Sequence, residues 1–253
     1  MLENVAMAPE AEAPVVVNGP EEFYKMPKEY QDLVIHQLRA HTEGELTGAD
    51  DYTQLLYPMA PDAYERKMCC ERAAEEMDHF VRGAEVLRDL GIDVTYMMDQ
   101  HFQERQHYRT DAVRKIDSWV QRGLFSMIGE GAVLAMIEEM AQSSYKPIAN
   151  MCISIVMDEY NHVAQGRRIV KQLCATPEGR AEVQAELEGV WWSTMLDLFG
   201  RSESERSKAY VKWGLRKYTN EEARQRYCAH IVPQLRELGL DVPDDWTRGR
   251  KFL

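Results

Sequence analysis

One arrangement of ligating residues occurs twice in this sequence, and it constrains the fold more than any other feature. Glu45 stands 31 residues before Glu76, which begins a Glu-x-x-His unit ending at His79. Glu130 stands 29 residues before Glu159, which begins a second unit ending at His162. On a helix, residues three apart share a face, so each unit can grip one metal ion with a carboxylate and an imidazole. A single unit is weak evidence. With 27 glutamates and seven histidines among 253 residues, about 0.75 matches arise by chance. The duplicated spacing carries the information. Two lone glutamates and two Glu-x-x-His helices are the ligand set of a di-iron or di-manganese four-helix bundle.

The rest of the chain supports an all-α fold. From Pro27 onward, apolar residues recur at the helical period and strand-like alternation is nearly absent. Helices are expected over about 28–46, stopping near Gly48, and over 62–90, with Gly91 as C-terminal stop. Others follow over 111–142, 147–174, 181–199, 203–217 and 220–238, with Pro233 kinking or splitting the last. A loop over 48–61 would then run back along the bundle. Residues 1–20, with Pro9, Pro14, Gly19 and Pro20, read as a loose arm. Residues 21–253 read as one domain, a bundle with additional C-terminal helices and a tail strapped onto it.

Acids precede both paired glutamates: Glu75 and Asp158. Ligating imidazoles usually donate their outer N–H to such a group, so each acid is expected to orient a histidine, on the opposite helix. The third unit, Glu104 and His107, lacks a lone glutamate at the thirty-residue interval and reads as surface. Glu138 and Glu139 read as a solvated face, and Trp191, Trp192, Trp213 and the methionines as core. Lys208, Lys212, Arg216, Lys217, Arg224 and Arg226 read either as a salt-bridged surface or as a cradle for substrate phosphates.

A net charge of −12 argues against nucleic acid as a partner. The longest apolar run in the body of the chain, Ala132 to Ile137, falls far short of the roughly 20 residues of a membrane span. No secretory signal is evident. Five cysteines, two of them adjacent at 69 and 70, form no disulfide framework, so a cytoplasmic location is expected.

At Glu45-Leu46-Thr47-Gly48, Glu75-Glu76-Met77-Asp78-His79, Glu130-Gly131-Ala132, Asp158 to His162 and the stretch Lys217 to Arg226, the chain resembles a known family. It is similar to the catalytic subunits of ring-1,2-phenylacetyl-CoA epoxidases, within the ferritin-like superfamily. That resemblance implies a non-haem di-iron monooxygenase with Glu45, Glu76, His79, Glu130, Glu159 and His162 as ligands to two iron ions. The family carries an aspartate where this chain has Glu130. The resemblance also implies dioxygen as co-substrate and an aromatic acyl-CoA thioester contacted by Arg216, Asn220 and Arg224, with Arg72 at a further basic position. It further implies a separate reductase, and a homo-oligomer or a complex with a ferritin-like structural subunit. An iron-storage or peroxide-detoxifying protein and a non-catalytic scaffold subunit remain open as rival readings.

Overall fold

The computed structural model describes residues 15–101, 104–105 and 111–243. Its core is four long helices in a ferritin-like bundle. Helix α1 runs Lys28–Asp51 and continues through a π turn, Tyr52–Leu56, into Tyr57–Met59. Helix α2 spans Ala63–Asp89. Helix α3 comprises Trp119–Leu124, a π turn at Phe125–Gly129, and Glu130–Met140. Helix α4 spans Lys146–Leu173. Three C-terminal helices pack on this core: α5 (Pro177–Glu186, a π turn at Leu187–Trp191, then Trp192–Leu198), α6 (Glu205–Lys212) and α7 (Asn220–Glu237). The described residues form no strand beyond one isolated bridge between Val17 and Tyr145.

Local chemistry sets these boundaries. Asp62 accepts the Glu65 N–H to start α2, and Ser118 accepts the Gln121 N–H to start the long part of α3. The expected helix over 111–142 is therefore two pieces, Asp111–Arg114 and then α3. Gly91 ends α2 at φ +63°, with its N–H on the Arg88 carbonyl. Thr219 and Glu222 form a reciprocal capping box at the head of α7, and Pro233 lies inside that helix without dividing it.

Gly48 does not stop α1, contrary to the sequence expectation, and no loop runs back over 48–61. The turn is only Ala60 to Asp62. Helix propensity at one glycine is a matter of about 1 kcal/mol, which packing of a long helix readily offsets. The glycine serves close approach instead: a Cβ there would lie 2.9 Å from the Glu76 Oε2 atom. With α1 extended, 14 residues separate Glu45 from Met59 and 13 separate Ala63 from Glu76. Both arms are roughly 20 Å long, so the two glutamates come level.

Two apolar clusters fill the bundle, one around Leu38, Phe80, Ile137 and Ile155, the other around Tyr52, Ala73, Ile128 and Val170. Each helix passes from one cluster to the other through a polar layer that holds the predicted ligands. α1 and α4 traverse the clusters in one order and α2 and α3 in the opposite order, so the α2-to-α3 connection must span the bundle, the single long crossover of ferritin-like folds. Trp119–Met140 is the one helix among the described residues long and apolar enough to cross a membrane, and most of it is buried in this core.

The arm and tail are partly anchored. Val17 is buried, and its backbone pairs with Ser144 and Lys146. Residues 1–14 lie outside the described residues, as does His107. Leu240 is buried, and the Asp241 N–H bonds Gln184. Trp191 and Trp192 are core as expected, and Glu104 is exposed. All five cysteines are free thiols.

Candidate metal centre

The polar layer brings all six predicted ligands together. Glu45, Glu76, His79 and Glu159 form one group, and Glu76, Glu130 and His162 form another. Within each group the potential ligand atoms lie within 4.8 Å of one another. Glu76 belongs to both. All six residues are buried, His79 and His162 completely.

Each imidazole turns one nitrogen inward. His79 Nδ1 lies 3.1 Å from Glu159 and 3.3 Å from Glu45, and His162 Nδ1 lies 3.2 Å from Glu76 and 3.8 Å from Glu159. The outer nitrogens meet the two acids singled out in sequence. His162 Nε2 is 2.9 Å from Glu75 on α2, and His79 Nε2 is 3.4 Å from Asp158 on α4. An outer N–H donated to these acids leaves each Nδ1 lone pair facing the centre. The rings stack at 6.1 Å.

Electrostatics follow from four carboxylates sharing a buried space. Burial, with Glu45 adding to it, pushes Glu76 up to about 8. Burial also raises Glu159. It opposes charge on the histidines too, yet Glu159 and Glu45 hold His79 up at about 11, and Glu75 and Glu76 hold His162 at about 10. Among the six ligands, His162 Nδ1 and Glu130 Oε2 are buried without a hydrogen-bond partner. Orphans facing hard oxygen donors and imidazoles suit a pair of iron ions.

Sequence reasoning missed three contributors. His41 lies 3.0 Å from Glu45 Oε1 through its Nδ1, and burial lowers its pKa to about 4. Tyr52 donates to Glu130 Oε1 at 2.9 Å, and Arg122 donates to the Tyr52 hydroxyl at 3.1 Å. Spacing carried the signal: His41 is one helical turn before Glu45 and Tyr52 two turns after it, on the same face.

The residues expected to contact a thioester are used differently. Arg224 is wholly buried, donating to the carbonyls of Leu196 and Gly200 and to Ser202 and Glu221. Arg216 bonds Asn220 and Glu139, and Asn220 bonds the Arg201 carbonyl. Glu139, expected on a solvated face, is buried and also accepts the N–H groups of Lys217 and Tyr218. Arg72 braces Glu75. Glu139 thus ties the α6–α7 turn to α3, and Arg224 ties α7 to the end of α5, so these groups brace the C-terminal helices. A cavity of about 680 Å³ does open beneath α7, walled by Met127, Leu134, Val156 and Val163, with Lys217 and Arg226 on its lining. Arg216, Asn220 and Arg224 are not among the residues lining it. Arg224→Ala is expected to lower unfolding stability by about 3–5 kcal/mol, because it removes the ion-pair partner of half-buried Glu221 and the donor to two carbonyls. Urea unfolding measures this; a loss under about 1 kcal/mol, the scale of an exposed pair, would contradict a bracing role.

The chain is also similar to known proteins. The family model described as phenylacetic acid catabolic protein matches residues 19–251. This chain belongs to that family. Among curated relatives, one of the subunits of the 1,2-phenylacetyl-CoA epoxidase of Escherichia coli (strain K12) is 24% identical over 222 residues, covering 87% of this chain and 71% of the relative. The phenylacetic acid catabolic protein match takes in the bundle and the C-terminal helices together, so α5 to α7 are part of what the family shares.

Proposed function

We propose that this protein is a non-haem di-iron monooxygenase that uses dioxygen to epoxidise or hydroxylate an organic substrate, an aromatic acyl-CoA thioester by analogy with its relative. The observation that carries this reading is the convergence of Glu45, Glu76, His79, Glu130, Glu159 and His162 from four helices on one buried layer. When bound there, a pair of iron ions supplies the redox chemistry that divides dioxygen between product and water, with electrons delivered by a separate reductase. The chain's own residues prepare that site. Glu45, His79 and Glu159 would supply ligands of one half and Glu130 and His162 of the other, with Glu76 common to both. Glu75 and Asp158 fix the rings. The apolar clusters above and below exclude bulk water. The relative is one component of a multi-subunit enzyme, which supports action in a complex with a ferritin-like structural partner.

The test is anaerobic loading with Fe(II), followed by dioxygen, a reductant and phenylacetyl-CoA. Two irons per chain, oxygen uptake stimulated by the thioester and a product heavier by one oxygen atom are expected. Oxygen consumption that only mineralises iron would make this a storage protein, and a chain that takes up no iron would be a scaffold.

Metal loading is expected to be proton-coupled. Burial raises Glu76, and the neighbouring carboxylates raise His79 and His162 against the opposing effect of burial, so the metal-free centre holds protons more tightly than free side chains do. An incoming cation must displace them. Fe(II) or Mn(II) binding should release protons into weak buffer, and affinity should fall as pH is lowered from 8 to 6. Binding independent of pH over that range would rule out this protonation scheme.

A further inference from the structure

Tyr52 and Arg122 stand outside the six ligands and belong to no surface. Tyr52 is 1% exposed and Arg122 not at all. Arg122 has no ion-pair partner among the described residues, and its Nε and Nη1 make no hydrogen bond. Its polar contact is Nη2 to the Tyr52 hydroxyl, and its guanidinium also lies 5.0 Å over the Tyr52 ring. Glu130 and Glu65 attract its charge without bonding it, yet a buried guanidinium with two unbonded nitrogens is costly, so its placement calls for a use.

The chain of contacts has only one possible polarity. Guanidinium groups donate and never accept. The Tyr52 oxygen therefore receives the Arg122 proton, and the single hydroxyl proton must go to Glu130 Oε1, 2.9 Å away. A donor that is itself receiving a charged hydrogen bond is a stronger donor. Glu130 Oε1 is thereby committed. Oε2 remains buried and without a partner, on a residue clustered with Glu76 and His162. Both π turns of the core lie at this contact. Tyr52 heads the one in α1, and Glu130 directly follows the one in α3. A π turn shifts the phase of every later side chain, and such turns favour functional sites.

We infer that the Arg122–Tyr52 pair is a positioning device that restrains Glu130 to ligate through one oxygen, Oε2, so that Glu130 neither chelates nor bridges. This rests on the metal-centre reading above. The two halves of the centre then differ. Glu45 has its outer oxygen tied to a histidine, whereas Glu130 has its outer oxygen tied to a tyrosine backed by a cation.

Cobalt(II) is a suitable probe, since its absorption reports ligand geometry without turnover. The full-length protein is compared with Tyr52→Phe, Arg122→Met and the control Tyr227→Phe. Tyr227 is buried and donates to the Ile128 carbonyl of α3 at 3.0 Å, so its loss removes a hydrogen bond from the same helix without touching a ligand. Wild type and Tyr227→Phe are expected to bind two cobalt ions alike. Tyr52→Phe and Arg122→Met are expected to weaken one of the two sites by about 10–100-fold, as loss of an outer partner typically does, and to change its absorption. A crystal structure of the cobalt-loaded wild type should show Glu130 bound through Oε2 alone. Unchanged affinity and spectrum in Tyr52→Phe, or Glu130 bound through Oε1 or through both oxygens, would overturn the inference while the metal centre stands. A wild-type protein that binds no cobalt would overturn both.

Discussion

Glu76→Ala is expected to bind neither iron, whereas His162→Ala is expected to keep one. The difference follows from membership in the two ligand groups. Glu76 is common to both, so its removal takes an oxygen from each. His162 serves only the group with Glu76 and Glu130, and the group of Glu45, Glu76, His79 and Glu159 survives its loss. On the proposed two-iron chemistry, neither variant should turn over. Losing an outer partner of a metal ligand already costs about 10–100-fold in activity, so loss of the ligand itself should reduce turnover below about one-hundredth. The helical fold should persist in both. Each substitution removes a group from a layer that is electrostatically strained without metal, where burial holds Glu76 at about 8, and the apolar clusters on either side are untouched. Iron analysis after anaerobic loading, with far-ultraviolet circular dichroism on the same samples, measures both halves of the expectation. Two irons and full turnover in either variant would show that the ligands have been misassigned.

The convergence of the six side chains was legible in sequence because its grammar is local. Each Glu-x-x-His pair sits within one helical turn, and the near-equal intervals before them reflect two hairpins of similar length. Glu75 and Asp158 were legible for the same reason. The pairing across helices is then forced, since an acid adjacent to a ligand on one helix points to the neighbouring helix. The failures share an opposite cause. Gly48 looked like a helix stop because glycine usually is one, and only the approach of Glu76 from another helix explains it. Arg216 and Arg224 were ambiguous because a run of cations has the same composition whether it faces solvent, cradles phosphates or braces carbonyls. Which of these applies depends on Leu196 and Gly200, outside the run, and on Glu139, far from it in sequence. Arg122 carried no signal at all. A lone arginine in an apolar helix is conspicuous only after Tyr52 is found against it.

Gly166→Ala should be among the most damaging small substitutions away from the ligands. A Cβ at this position would lie 2.4 Å from the Met127 amide nitrogen and 2.6 Å from the Ser126 carbonyl carbon. These are backbone atoms of the π turn in α3, which cannot swing aside as a side-chain tip can. α3 and α4 must therefore separate, at a level one turn from His162 and one turn from Glu130. Alanine raises helix propensity by up to about 1 kcal/mol, but overpacking typically costs about 1–3 kcal/mol and can cost more. The sum is a loss of stability. The effect on metal should be larger than that loss suggests, because Glu130 rides on the displaced helix and Glu159 and His162 on its neighbour. A shift of about 1 Å in a reacting geometry can cost about 10²-fold. Gly189→Ala is the matched control. Gly189 also lies in a π turn, but nothing is within 4 Å of its Cβ position, so only the propensity gain applies and stability should rise slightly. Urea unfolding and Fe(II) titration of both variants separate the terms. Wild-type stability and affinity in Gly166→Ala would mean that the close approach of α3 and α4 does not set the spacing of the ligands.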